Sequence, residues 1–245
     1  MVIGSKIIYH ANVSSTNDLA AELIDKGSAH EGIVISAAYQ SGGRGQRNNT
    51  WFSDPFMNLI MSVILMPESI LPEQQFYISK IVSLAITDTL QNFSDQFSIK
   101  WPNDIYHGSD KIAGILIENI IIGERITSSI AGIGLNINQK KFPSGIPNPI
   151  SLIQISKKKH NVQLILEEVC RNLQLRYSSL KDGNYSEIDN SYESLLYHKD
   201  EEMEFRTADG PLKGKIIGVN KSGQLIIEPA EGSNIEFSFK EIEFL

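Results

Sequence analysis

The spacing of apolar positions changes several times along this chain, and the changes mark out its elements. After Ser14-Ser-Thr-Asn-Asp18, residues Leu19, Ala20, Leu23 and Ile24 recur with the period of one helix face, and Gly27 closes the run. Ser15 with Asp18 three positions on has the form of a capping box. Gly32–Tyr39 and Asn58–Leu65 are dense apolar runs of strand length, and between them lies a Gly-, Arg- and Asn-rich loop, Ser41–Thr50. Pro72 opens a helix running to about Asn92, with Phe76, Ile81, Ala85 and Leu90 on a common side. Ser98–Trp101 reads as a short strand stopped by Pro102. Lys111–Ile122 and Ile126–Asn138 read as central strands joined as a hairpin through Gly123-Glu-Arg125, and Asn161–Leu180 as the last long helix.

Past about Lys199 the texture changes. Glu202–Arg206, Leu212–Val219, Gln224–Glu228, Ile235–Phe239 and Glu241–Phe244 are short strands separated by Gly210-Pro211, Lys221-Ser-Gly223 and Gly232-Ser-Asn234. That spacing predicts a small β-barrel, too small to be stable alone and therefore docked on the rest. The pattern gives an α+β domain over 1–199 and a small β-domain over 200–245.

Composition narrows the chemistry. The chain has 245 residues, with 22 Lys and Arg against 29 Asp and Glu for a net charge of −7, so its surface as a whole is not built for nucleic acid or anionic membrane. An anionic substrate needs a local cationic cluster. Cys170 is the only cysteine, which excludes an internal disulfide, and it sits on the apolar side of a helical segment as a packing thiol. No signal-peptide layout and no membrane-length apolar run occur, so a cytoplasmic location is expected.

Four segments carry candidate chemistry. In Gln40-Ser-Gly-Gly-Arg-Gly-Gln-Arg-Asn-Asn-Thr-Trp51, Gly42, Gly43 and Gly45 let backbone N–H groups approach a ligand, while Arg44 and Arg47 offer planar cationic donors for phosphate or carboxylate. A flexible surface loop with two solvated arginines accounts for the same residues, and the Gly-Lys-Ser/Thr ending of a P-loop is missing. Lys100-Trp-Pro-Asn-Asp104 followed by Lys111-Ile-Ala-Gly-Ile-Leu116 brings Asp104 and Lys111 to one strand end, as a surface ion pair or as a functional one. The hydroxyls and amide of Ser14-Ser-Thr-Asn17 suit helix capping or a polar ring. Glycines inside Ala131-Gly-Ile-Gly-Leu-Asn-Ile-Asn138 mark close approach by a ligand or by neighbouring backbone. Five histidines without metal-ligand spacing, and no Gly-x-Ser-x-Gly elbow, argue against a zinc enzyme or a serine hydrolase.

Taken in order, Ser-Ser-Thr-Asn, Gly-Arg-Gly-x-Arg with a following Trp, Lys-Trp-Pro-Asn-Asp, Lys-Ile-Ala-Gly-Ile-Leu and Gly-Ile-Gly-Leu-Asn resemble biotin–protein ligase, from about Tyr9 to Lys199. The resemblance implies a mixed sheet flanked by helices, like that of class II aminoacyl-tRNA synthetases, with an SH3-like C-terminal β-barrel. It implies an enzyme that joins ATP and biotin as biotinyl-5′-AMP and passes the biotin to a lysine of a biotin carboxyl carrier protein or domain. By the same resemblance Ser15, Thr16 and Gln40, with Asn17 nearby, hold the biotin ureido group. Arg44 and Lys111 hold the carboxylate and then the adenylate phosphate, and Asp104 orients and helps deprotonate the acceptor lysine. Trp51 covers the ligand, Asn136 lies beside the nucleotide phosphates or their metal, and Gly43, Gly45, Gly114 and Gly132 line the site. Mg²⁺ is expected with ATP, but no carboxylate cluster announces protein ligands for it. Homodimer formation through the edge of the central sheet also follows from the resemblance. In a departure from the bifunctional repressors of the family, the chain starts almost at the catalytic domain with no room for a helix-turn-helix, so no DNA binding is expected.

Lipoate–protein ligases and octanoyltransferases share this fold, but the Ser-Ser-Thr-Asn opening and the Trp after the loop favour biotin. A non-catalytic binding protein would not need Arg44, Lys111 and Asp104 together. One departure stands out: many relatives carry a second arginine where this chain has Gln46, at a position that helps retain the reactive adenylate. Arg47 is expected to compensate in part. Arg47→Ala should therefore speed adenylate dissociation, and an unchanged rate would remove that role.

Overall fold

The computed structural model describes residues 2–46 and 49–245, so Arg47 lies outside the described residues. Its larger sheet contains β1 (Lys6–His10), β2 (Ile33–Ala37), β3 (Leu59–Leu65), β4 (Phe97–Lys100), β5 (Asp104–His107), β6 (Asp110–Ile122) and β7 (Arg125–Leu135), in the order β1-β2-β3-β7-β6-β5-β4. Only β1 and β2 run parallel; the other neighbours are antiparallel. This is the mixed α+β architecture expected from the pattern.

Period-two alternation divides the sheet into two apolar faces. Val34, Met61, Val63 and Leu65 point to the main core, shared with α2 (Phe76–Leu90) and α4 (Val162–Lys181). Ile33, Ile35, Ile64 and Ile130 point the other way, onto Ala20 and Leu19 of α1 (Thr16–Asp25). Ser15 caps α1 by accepting from the Asp18 backbone N–H. The second half of the capping box is missing, because the Asp18 carboxylate turns to Arg44 instead.

The structure differs from the periodicity reading at several ends. Pro72–Gln74 forms a 3-10 turn, and α2 starts only at Phe76. Past Leu135 the Asn136 N–H still reaches β6, donating to Ile112 O, but that of Ile137 turns to the Asn58 side-chain Oδ1, both at 2.9 Å. β1, the short helix α3 (Leu152–Ser156) and α5 (Tyr185–Ser194) lie outside the periodic runs named above.

The second sheet comprises β8 (Glu202–Thr207), β9 (Gly210–Val219), β10 (Leu225–Pro229), β11 (Ile235–Phe237) and β12 (Ile242–Phe244), in the order β11-β10-β9-β8-β12. This is the small β-domain expected from the spacing; among the described residues no ladder joins β11 to β12, so its closure as a barrel is not shown. It is fastened to the larger sheet from several directions. Trp101 Nε1 donates to Gly223 O at 2.9 Å, and Phe239 packs edge-on against both Phe76 and Trp101. Lys80 of α2, fully buried, pairs with Asp189 of α5 at 2.7 Å and lies 5.0 Å from the Tyr77 ring centroid and 5.5 Å from that of Tyr192. A buried ammonium needs such partners, since an unpaired charge in the interior costs several kcal/mol.

On the α1 face, glycines clear a floor. Gly114 of β6 and Gly134 of β7 are register neighbours, and the Trp51 ring lies across them. A Cβ on Gly134 would sit 2.3 Å from Trp51 Cε2, and one on Gly132 would sit 2.4 Å from Asn17 Oδ1. Gly134→Ala should therefore lift Trp51 from the sheet, at a cost of about 1–3 kcal/mol as for an overpacked core. Tryptophan emission and a urea melt against wild type check this; an unchanged spectrum would contradict the seating. Burial, with a smaller contribution from Glu167, pushes the Cys170 thiol up to about 12. Native Cys170 at pH 8 should alkylate at least ~100-fold more slowly than in denaturant, because the thiolate is the reacting form.

Candidate active site

The glycine floor opens into a cleft of about 600 Å³ bounded by α1, the Ser41–Trp51 loop, the β5–β6 hairpin and β12. Strand register explains its composition. Across the sheet, Ile60, Gly134, Gly114, Asp104 and Lys100 occupy one row, each paired with the next. Lys111 joins the same face through an irregularity. Asp104 pairs with Gly114 and Ile105 with Ala113, but Tyr106 pairs with Lys111, so Ile112 is the extra residue of a bulge. Both Ile112 and Ala113 stay in the core, and the bulge turns Lys111 to the side of Asp104 and Tyr106. Lys111 Nζ is 2.7 Å from Asp104 Oδ1 and 5.9 Å from the Trp51 ring centroid.

Lys100 stands on the far side of Asp104. Its Nζ lies 4.8 Å from the Tyr106 ring centroid, 5.4 Å from that of Tyr197 and 4.9 Å from that of Phe244 in β12. Burial pulls its pKa down, the Asp104 charge opposes that, and Lys111 reinforces it. Burial also raises Tyr106 to about 12, helped by Asp104, so its phenol stays protonated near neutrality.

At the other end of the cleft, Gln40 Oε1 accepts from Thr16 N at 2.7 Å and lies 3.0 Å from Thr16 Oγ1. Ser62 Oγ lies 2.7 Å from Thr16 Oγ1 and 2.5 Å from Asn17 Oδ1. Asn17 Oδ1 can only accept, so Ser62 donates to it, and the single Thr16 hydroxyl proton goes either to Gln40 Oε1 or to Ser62 Oγ. Asn17 Nδ2 then donates to Glu118 Oε2 at 2.6 Å, and Glu118 receives Arg44. The loop itself folds back as a hairpin, Trp51 N donating to Gly43 O and Gly45 N to Asn49 O.

Ser15, Thr16, Asn17, Gln40, Arg44, Gly45, Gln46, Trp51, Asp104, Lys111, Gly114 and Gly132 thus line one cleft. Gly43 sits just behind it, where a Cβ would be 2.5 Å from Trp51 O and 3.1 Å from Gln40 Nε2. Asn136 is apart: it lines a neighbouring hollow of about 310 Å³ that shares Trp51 and Lys111 with the cleft. Its Nδ2 donates to Ile150 O, while its buried Oδ1 has no partner among the described residues. Asn17 is already committed to Ser62 and Glu118. Ser62, Tyr106, Glu118 and Phe244 lie outside the motifs named from the sequence, and Lys100 opens one of them without an assigned role. For Ser62 and Glu118 a signal exists: each is a lone polar residue in an otherwise apolar strand stretch, Leu59-Ile-Met-Ser-Val-Ile-Leu65 and Ile112-Ala-Gly-Ile-Leu-Ile-Glu118.

Comparison with known proteins is consistent with this geometry. The sequence profile of the biotin/lipoate A/B protein ligase family matches residues 9–136. The bifunctional ligase/repressor BirA of Bacillus subtilis is 31% identical over 238 residues, covering 94% of this chain and 72% of that protein. The biotin–[acetyl-CoA-carboxylase] ligase of Paracoccus denitrificans is 25% identical, covering 92% of this chain and 95% of that one. Among solved structures, the Aquifex aeolicus biotin protein ligase in complex with biotin and ATP superposes with a TM-score of 0.82 at 25% identity, covering 98% of each chain. The chain is a ligase, and it belongs to the biotin/lipoate A/B protein ligase family as a biotin–protein ligase.

Proposed function

We propose that this enzyme activates biotin with ATP and transfers it to a lysine of a biotin carboxyl carrier domain. In the first step a biotin carboxylate oxygen attacks the α-phosphorus of ATP and pyrophosphate leaves. In the second the acceptor amine attacks the activated carbonyl, AMP leaves, and an amide remains. The observation that carries this reading is the Asp104–Lys111 pair, held at 2.7 Å over a glycine floor in a cleft of about 600 Å³.

Each step asks for charge at that place. Bringing a carboxylate to a triphosphate sets anions together, and Lys111 and Arg44 are the cations of the cleft that can be turned to the carboxylate and then the phosphate. Thr16 and Gln40 offer directed polar groups for the ureido ring, with Ser15 beside them, while the wall of Ile60 and Leu116 receives the apolar body. Asp104 is the carboxylate at this end of the cleft, placed to align an acceptor lysine and take its proton. The outer face of Trp51, between the cleft and the Asn136 hollow, is where the nucleotide is covered. Mg²⁺ is expected to arrive with ATP as part of the substrate. Residues 1–199 would carry the chemistry, with 200–245 closing one wall through β12.

Incubation with biotin, Mg·ATP and an active carrier domain should add the mass of one biotinyl group at a single lysine; no gain would sink the assignment. Lys111→Ala should cut pyrophosphate release by ~10²-fold or more. Asp104→Asn should keep adenylate formation but slow transfer by ~10²-fold, as for loss of a general base. Lipoate in place of biotin is the control for the acid.

A further inference from the structure

Arg44 is more heavily engaged by protein carboxylates than an anion-binding arginine needs to be. Its Nη1 donates to Glu118 Oε1 at 3.0 Å, and its Nη2 donates to Glu118 Oε2 at 3.0 Å and to Asp18 Oδ1 at 2.7 Å. That uses three of the five N–H donors a guanidinium has, including both on Nη2. One positive and two negative charges leave the group net negative. A carboxylate or phosphate reaching for Arg44 with the usual two-pronged grip has to take the place of one of these oxygens.

The two carboxylates are not equally fixed. Glu118 belongs to β6 and also receives Asn17 Nδ2 at 2.6 Å, and Asn17 is in turn held by buried Ser62 at 2.5 Å. Asp18 stands in the first turn of α1 with its side chain 47% exposed, and among the described residues its carboxylate has no partner other than Arg44. Leaving Arg44 costs it little, because water and the positive end of α1 still solvate the charge.

We propose that Asp18 is a built-in competitor for Arg44, displaced when the substrate's anionic group binds, and that Glu118 is the positioning residue that keeps the guanidinium facing the cleft. The proposal rests on reading the cleft as an acyl-adenylate site. Asp18 then sets how tightly the anionic intermediate is held, at the mouth of a loop where Gln46 contributes no charge. The two carboxylates touch the same cation yet act in opposite directions, an asymmetry that a purely structural role would not produce.

The test measures Asp18→Asn and Glu118→Gln against wild type with two probes, inorganic pyrophosphate by calorimetry and biotinyl-5′-AMP by tryptophan fluorescence. Asp18→Asn is expected to bind pyrophosphate about five-fold more tightly and release the adenylate correspondingly more slowly, the scale of one exposed ion pair. The gain should shrink in high salt, where exposed charges are screened. Glu118→Gln is expected to weaken both and to lower the rate of pyrophosphate release. Pyrophosphate binding by Asp18→Asn that is absent, or no tighter than wild type, overturns the proposal, and so does a shift of both variants in the same direction. If pyrophosphate follows the expected pattern while biotinyl-5′-AMP binds no variant, the competition for Arg44 stands and the biotin reading is what fails.

Discussion

The site depends on a stretch of sheet that has been cleared of side chains. Gly114, Gly132 and Gly134 stand on two neighbouring strands, and the space they leave is filled by Trp51 from the loop and Asn17 from α1. Any Cβ there would fall inside van der Waals contact of those groups. Everything else in the cleft is positioned relative to that floor. The loop hairpin closes because Trp51 has a seat, Arg44 reaches Glu118 because the hairpin closes, and Asn17 can link Glu118 to Ser62 because Gly132 yields to it. Glycine weakens a strand, and the loss is offset on the opposite face, where the same strands contribute Ile115, Ile133 and Leu135 to the main core.

A second constraint acts on direction. A regular β6 would carry Lys111 to the face opposite Asp104, into the apolar core. The bulge at Ile112 spends one residue to reverse that, and Ile150 N and Asn148 O hold the distorted segment by bonding Lys111 O and N at 3.0 and 2.6 Å. The ion pair at the centre of the proposed chemistry is therefore a product of backbone irregularity, stabilised by a loop some forty residues downstream.

Much of the fold was legible in the sequence for physical reasons. Long apolar runs such as Ile126–Asn138, and the cap signal at Ser15, follow from burial and from unsatisfied helix-end donors, which leave strong local marks. β1 left a weak mark, since five residues at a sheet edge alternate only partly, with exposed Lys6 and Tyr9. Closure of the small sheet was a matter of tertiary pairing, about which local spacing says little. In the site, residues on a motif were found, and residues recruited from another strand were not. Tyr106 and Phe244 meet Lys100, a motif residue whose role was not visible, only after β4, β5 and β12 have packed, and the bulge at Ile112 has no signature in Lys111-Ile-Ala-Gly114. Ser62 and Glu118 were visible as polar interruptions, but only register shows that both lead to Asn17.

The wall contributed by β12 ties the cleft to the order of synthesis. Ser15 and Thr16 emerge from the ribosome early, whereas Ile242 and Phe244, which face them across the same cavity, emerge after almost everything else in the sequence. A nascent chain that has completed the seven-stranded sheet but not the five-stranded one holds the glycine floor, Asp104 and Lys111 with one side open to water. A reactive acyl phosphate formed there would meet solvent before it met an acceptor. Completion of the cavity wall thus coincides with completion of the second sheet.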